Sequence, residues 1–126
     1  MNKRYFILIF LFIFVIFSGC RENKKYKVTL IEIMSSSCEA CITTYKPMVE
    51  ELKKEFSKTK DVQIKIYDTA TDEGVKMANL YGITKLPTFI FLDENNVEYF
   101  RMKDIIIKEA IVALINTKLN EKRDKK

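Results

Sequence analysis

The feature that most constrains this chain is a pair of cysteines, Cys38 and Cys41, set three apart in SSSCEACITTYKP at the join between a strand-like run and a helix-like one. The run before it, YKVTLIEIM at 26–34, is β-branched and alternating, which predicts a strand. After it, Cys41, Tyr45, Met48, Leu52 and Phe56 recur at steps of four, three, four and four, one stripe of an amphipathic helix running to about Lys58. Ser36 and Glu39 have the S-x-x-E spacing of a capping box, which sets Cys38 in the first turn, and Pro47 inside the helix should kink it. Unpaired amides and the dipole at a helix start favour a thiolate on Cys38, and the i, i+3 spacing puts Cys41 within disulfide reach. One thiolate can then attack a disulfide while the second thiol resolves the mixed intermediate. Taken alone, the pair is equally open to being half of a metal site or two neighbouring thiols.

The first twenty residues, MNKRYFILIFLFIFVIFSGC, join Lys3 and Arg4 to an unbroken apolar run from Tyr5 to Phe17. That is the pattern of a secretory signal. Thirteen residues at about 1.5 Å rise make a helix of roughly 20 Å, short of the roughly 30 Å hydrocarbon core a spanning helix must cross. F-S-G-C resembles the lipobox of bacterial lipoproteins, in which cleavage precedes a cysteine bearing a diacylglyceryl group. The resemblance makes residues 1–19 the signal and Cys20 the lipidated residue, with Phe17 where most such sequences have an aliphatic side chain. The alternative is an uncleaved anchor with Cys20 an ordinary thiol; either way the rest of the chain is exported. Two or three acyl chains would hold it stably, since each buried methylene contributes about 0.8 kcal/mol and one chain alone is marginal.

Residues 20–126 suffice for one compact domain and are too few for two. Residues 20–25 read as the lipidated cysteine and a short basic tether, 26–119 as the domain, and 120–126 as a charged tail. Basic runs at both ends without interleaved aromatics do not make a nucleic-acid surface, so no nucleic-acid partner is expected. With Cys20 given to lipid, an exported chain keeps only Cys38 and Cys41, and outside the cytoplasm such a pair oxidises unless something reduces it. A disulfide closing so short a loop constrains the unfolded chain little, so chemistry explains the pair better than stapling.

Beyond the helix, VQIKIYD at 62–68 reads as a strand, TDEGVKMANLYG as a short helix stopped by Gly82, and PTFIFLD at 87–93 as a strand. ENN makes a turn, VEYFRM a fourth strand, and DIIIKEAIVALINTKL a closing helix. The order β-α-β-α-β-β-α, with crossover helices between parallel strands and a tight turn between the last two, predicts an α/β fold: a mixed four-stranded sheet with helices on both faces.

From about Tyr26 to Leu119 the chain resembles a thioredoxin-fold protein, and with its leader an exported bacterial thioredoxin-like lipoprotein. C-E-A-C stands where that family has its C-x-x-C after the first core strand. Y-G-I-T-K-L-P-T-F-I-F matches the stretch whose proline is cis and packs beside the disulfide, which makes Pro87 that residue by resemblance. Glu32, six residues before Cys38, stands where many members have a buried acid. The departures are the missing tryptophan before the motif, a helix proline six residues after Cys41, one later than in most members, and Met102–Lys103 in place of a glycine.

The resemblance implies a redox-active Cys38–Cys41 disulfide with no other cofactor, Cys38 as nucleophile and Cys41 as resolving thiol. It also implies a groove at Leu86 and Pro87 where an extended substrate segment pairs as an added strand. Glu32, on a face with Leu30 and Met34, should be buried, have a raised pKa and relay a proton to or from Cys41. The expected activity is that of a membrane-anchored, extracytoplasmic (periplasmic or outer-surface) thiol-disulfide oxidoreductase. Its partners would be disulfide-containing exported proteins and a transmembrane electron donor. Neither Glu39 nor Ala40 is a cation or histidine, which favours a reductant over a strong oxidant.

Rival chemistries fail on residue types. A closed zinc site needs about four Cys or His ligands, and the chain has no histidine. The same lack removes a Cys-His hydrolase, and Ile42 rather than histidine after Cys41 disfavours covalent haem. The rival from another class is a redox-inactive tethered adaptor that binds a partner at the Pro87 surface.

Overall fold

The strand before the cysteines becomes a central strand of the sheet. The computed structural model describes Lys3 and residues 24–121. In it β1 (Val28–Met34) lies between β2 (Val62–Asp68) and β3 (Thr88–Leu92), with β4 (Glu98–Met102) outermost beyond β3. β1 and β2 run parallel, joined through helix α1 (Lys46–Glu55); β3 is antiparallel to both β1 and β4. Helix α2 (Asp72–Leu80) connects β2 to β3, and α3 (Lys108–Asn120) follows β4. This is the expected α/β architecture, a mixed four-stranded sheet with helices on both faces.

The two faces of the sheet divide the core by the two-residue period of the strands. On one, Val28, Leu30, Phe89 and Phe91 pack with Val49, Leu52 and Phe56 and with Ile111 and Ile115 of α3. On the other, Ile31, Ile33, Ile90 and Leu92 pack with Met77 and Ala78 of α2 and with Tyr81. Burying each large side chain stabilises the fold by about 1.5–3 kcal/mol. All seven residues of β1 are consequently buried, polar Thr29 and Glu32 included.

Local chemistry fixes the ends of α2. Thr71 Oγ1 accepts the Gly74 amide at 3.0 Å, and Asp72 and Glu73 meet the positive end of the helix dipole. A side chain at Gly74 would collide with the Asp68 carbonyl, so the helix can approach β2 only because that residue is glycine. At the other end Gly82 takes φ of 60°, and the Gly82 and Ile83 amides donate to Asn79 O at 3.2 Å and Ala78 O at 2.8 Å, a Schellman stop.

Two boundaries differ from expectation. α1 ends at Glu55 rather than near Lys58. α3 starts at Lys108 rather than Asp104, because Ile107 holds an extended backbone (φ −123°, ψ 125°) and three successive β-branched residues resist helix entry. The leader at 1–19 apart from Lys3, Cys20, and the tail after Glu121 lie outside the described residues. Among the described residues no helix is long and apolar enough to cross a membrane.

Candidate redox site

The turn between β1 and the helix is tied down by an acid from the neighbouring strand. Met34 pairs with Asp68 at the end of the parallel β1–β2 ladder. Asp68 Oδ1 accepts the amides of Ser36 at 3.1 Å and Ala70 at 2.9 Å, and Met34 O accepts the Thr69 amide at 2.9 Å. The turn closes on itself through Cys38 N–H to Ser35 O at 3.0 Å and Ser37 N–H to Ser35 Oγ at 3.1 Å. These amide bonds, that of Ala70 first, hold the Asp68 carboxyl below its ordinary pKa.

The expected Ser36–Glu39 capping box does not form. With its amide bound to Asp68, Ser36 stays in the turn, and helical backbone begins only at Glu39. Cys38 therefore occupies the cap position, where its Sγ accepts the Cys41 amide at 3.2 Å while its carbonyl accepts the Ile42 amide at 3.3 Å. A sulfur seated where an N-cap oxygen would sit meets the orphan amides and the positive end of the dipole directly.

Past Cys41 the helix widens. Cys41–Tyr45 form a π-helical turn, closed by the Lys46 amide donating to Cys41 O five residues back. The extra residue before the proline is absorbed here, and Pro47 falls in the first turn of α1 directly after the π turn. The added residue also rotates the buried stripe. Cys41, Val49 and Leu52 are fully buried, whereas Tyr45 and Met48 only pack at the edge of the core.

Cys38 and Cys41 are joined as a disulfide with their Cα atoms 5.2 Å apart. Cys38 is partly exposed and Cys41 is at 0% exposure, so the two sulfurs are unequal: one faces solvent, the other the core.

Glu32 is 2% exposed, and its Oε1 has no hydrogen-bond partner among the described residues. Desolvation pushes its pKa up to about 7, against an opposing pull from the Lys53 ammonium. Leu86–Pro87 is a cis peptide, and Leu86 packs onto the cluster of Ile31, Ile33, Ile90 and Leu92. Because Ile33 pairs with Thr88, the register carries Pro87 to the end of β1 from which the cysteine turn leaves. Cys20, the lipidation candidate, lies outside the described residues.

Three contributors went unread in the sequence: Asp68, Val49 and Lys53. The signal for Val49 was available, since the late proline marks the inserted residue that shifts the stripe. Asp68 and Lys53 act through strand register and helix placement, which no local motif records. Among the described residues no group of three or more acidic, cysteine or histidine side chains is placed to hold a metal ion.

Residues 21–117 match the Thioredoxin family. Among solved structures the chain is similar to thioredoxin-2 of the malaria parasite, a component of its protein secretion machinery, at 24% identity over 75% of this chain and 86% of that one, with a TM-score of 0.64. It is similar to Fasciola hepatica thioredoxin at 23% identity over 75% and 83% of the two chains, TM-score 0.61. The exposed lipoprotein thioredoxin of Streptococcus pneumoniae is similar at 18% identity over 75% and 87%, TM-score 0.60. An uncharacterized protein of Treponema pallidum (strain Nichols) is 40% identical over 45 residues, a stretch that spans 36% of this chain and 58% of that relative's length. A family match running through the sheet, the cysteine turn and most of α3 leads to one conclusion: this chain belongs to the thioredoxin family.

Proposed function

We propose that the protein is a membrane-anchored thiol-disulfide oxidoreductase that works outside the cytoplasm as a reductant of disulfides in exported proteins. The observation that carries this reading is the inequality of the two sulfurs, with Cys38 at the helix cap and partly exposed and Cys41 buried one turn behind it.

In the reduced state the Cys38 thiolate, stabilised by the cap amides, attacks one sulfur of a substrate disulfide. A bond forms between Cys38 and that sulfur, and the other substrate sulfur leaves as a thiolate. Cys41 then loses its proton to the Glu32 carboxylate and attacks Cys38 Sγ. The intramolecular disulfide closes and the substrate's second sulfur departs, so two electrons have passed to the substrate. A membrane-borne electron donor restores the dithiol. Glu32 suits the relay because a carboxyl titrating near neutrality can take and return a proton under working conditions. Leu86 and Pro87 shape the surface on which an extended substrate segment lies. Family members need no cofactor, and the disulfide is itself the electron carrier.

The anchor rests on Cys20 and the apolar leader, and the similarity to an exposed lipoprotein thioredoxin is in keeping with it. The decisive experiment is reduction of a model disulfide protein with dithiothreitol as electron source, together with trapping by Cys41→Ser. The expected results are turnover by the native protein, an accumulating mixed disulfide on Cys38 in the variant, and a reduction potential nearer the thioredoxin value of about −270 mV than −120 mV. No turnover and no trapped species would favour the tethered adaptor instead.

A further inference from the structure

The pole of the sheet opposite the cysteines carries a lysine-lined cleft, and the chain enters the domain there. The cysteine turn leaves the far end of β1, so at about 3.3 Å per residue the two ends of that seven-residue strand are roughly 20 Å apart. Beside its near end lies a cleft of about 310 Å³ lined by Lys24, Lys53 and Lys60, by Ser57 and Thr59, and by an apolar wall that includes Phe56. The Lys24 ammonium lies over the Tyr26 ring at 4.9 Å, and the Ser57 hydroxyl donates to Lys54 O at 2.8 Å. None of the lining residues is acidic. Lys53 keeps an ion pair with Glu50 at 3.6 Å, but both side chains are about half exposed and such pairs hold weakly against solvent.

Three lysines and no acid lining one small cleft suit a phosphate, and the apolar wall suits the glycerol and first acyl carbons attached to it. The source of that phosphate follows from chain length. Lys24 is four residues from Cys20, a span of at most about 14 Å when fully extended. With the lipid anchor at Cys20, the reading on which this inference rests, the cleft is held within reach of the headgroup layer. We propose that it binds the phosphate of an anionic phospholipid in the anchoring membrane, so that the domain docks by this pole and turns its disulfide to the aqueous side.

The test uses the acylated chain purified from membranes and placed in nanodiscs of neutral or partly anionic lipid carrying a gadolinium-chelating headgroup. In anionic discs the methyl signals of Val62 and Ile64, which line the cleft, should broaden at least about fivefold more than those of Leu86, and in neutral discs the difference should shrink to the small bias that the tether alone imposes. Replacing Lys24, Lys53 and Lys60 together by serine should abolish the preference. Replacing the exposed Lys65, Lys76 and Lys103 together should keep it, which separates the cleft from general charge. Equal broadening in both lipids, or loss in the control variant, overturns the proposal. So does millimolar inorganic phosphate shifting Val62 and Ile64 in neutral discs while anionic lipid leaves them unmoved, which would make the ligand a soluble anion. Intact mass reads the acyl group on Cys20 independently: its absence removes the anchor and the docking together, whereas an acylated chain without lipid preference loses the docking alone.

Discussion

Two carboxylates flank the cysteine turn and are treated in opposite ways. Glu32 is buried in the middle of β1 with an oxygen unpartnered among the described residues and a pKa raised to about 7, while Asp68, near the surface at the end of β2, accepts two backbone amides and has its pKa lowered. The first is a liability to the fold whenever it is charged. The second is an organiser, holding the turn in which Cys38 is set. The difference separates an acid left unpaired in the core, to which the proposed function gives the proton relay, from an acid that sets geometry, although both lie in neighbouring strands.

The largest effect that tests this contrast is on stability. Glu32 has a folded pKa above its unfolded value of 4.5, so the folded state holds the proton more tightly. Its contribution is fully present below pH 4.5 and is lost as pH rises through about 7. The shift corresponds to roughly 3 kcal/mol. Glu32→Leu should therefore be more stable than the native protein at pH 8 by about that amount, with little difference at pH 4, as read by urea denaturation. A variant less stable at pH 8 would mean that the charged carboxylate is compensated, and the contrast with Asp68 would fail.

Activity should move the other way. Glu32→Gln preserves the shape and removes the titration, so the resolving step should slow by about 100-fold, the lower end of the range for one lost general acid–base group. Its pH profile should also lose the inflection near 7. Rapid-quench measurement of mixed-disulfide decay isolates that step. An unchanged decay rate would leave Glu32 a buried acid without a role in proton transfer.

Asp68→Ala should cost about 1 kcal/mol, comparable to losing a helix cap, because two amides are released at a solvent-accessible site. The sign with pH is reversed: a depressed carboxyl stabilises above its unfolded pKa of 3.8 and loses that contribution as pH falls through its lower folded value. A readout specific to the turn is the reactivity of Cys38. Asp68→Ala should change its rate of alkylation in the reduced protein while Asp68→Asn, which retains an acceptor oxygen, changes it less. If both variants alkylate at the native rate, the turn is set by Ser35 and the helix alone.

How far the sequence could reveal this contrast depends on which physics is local. The cysteine pair, the strands around Leu30 and Ile64, and the Thr71 to Gly82 helix were legible because alternation, caps and stop glycines act within a few residues. Glu32 was legible as buried through its spacing from Leu30 and Met34, yet Ile31 and Ile33 are buried as well, so alternation alone did not decide it. Asp68 was illegible because its work depends on pairing with Met34, 34 residues away in sequence. Ser36 carried a misleading signal, since a cap motif has force only when its own amide is not already engaged. The π turn at Cys41–Tyr45 left a trace in the late Pro47, but which way the helix would absorb one residue depends on the tertiary demand to bury Cys41 and Val49 together.

The smallest predicted effect joins the two poles of the molecule. Lys53 lines the cationic cleft and is also the charge that draws the Glu32 pKa downward. Its side chain is exposed, so solvent screens the coupling, and Lys53→Met should raise the Glu32 titration only slightly. A phosphate seated on Lys53 would neutralise the same charge. The Glu32 carboxyl resonance should accordingly titrate slightly higher in anionic discs than in neutral ones, and Lys53→Met should erase that difference. A shift that survives in Lys53→Met would arise from the surface potential of the bilayer as a whole, and the buried acid would then be insensitive to the cleft.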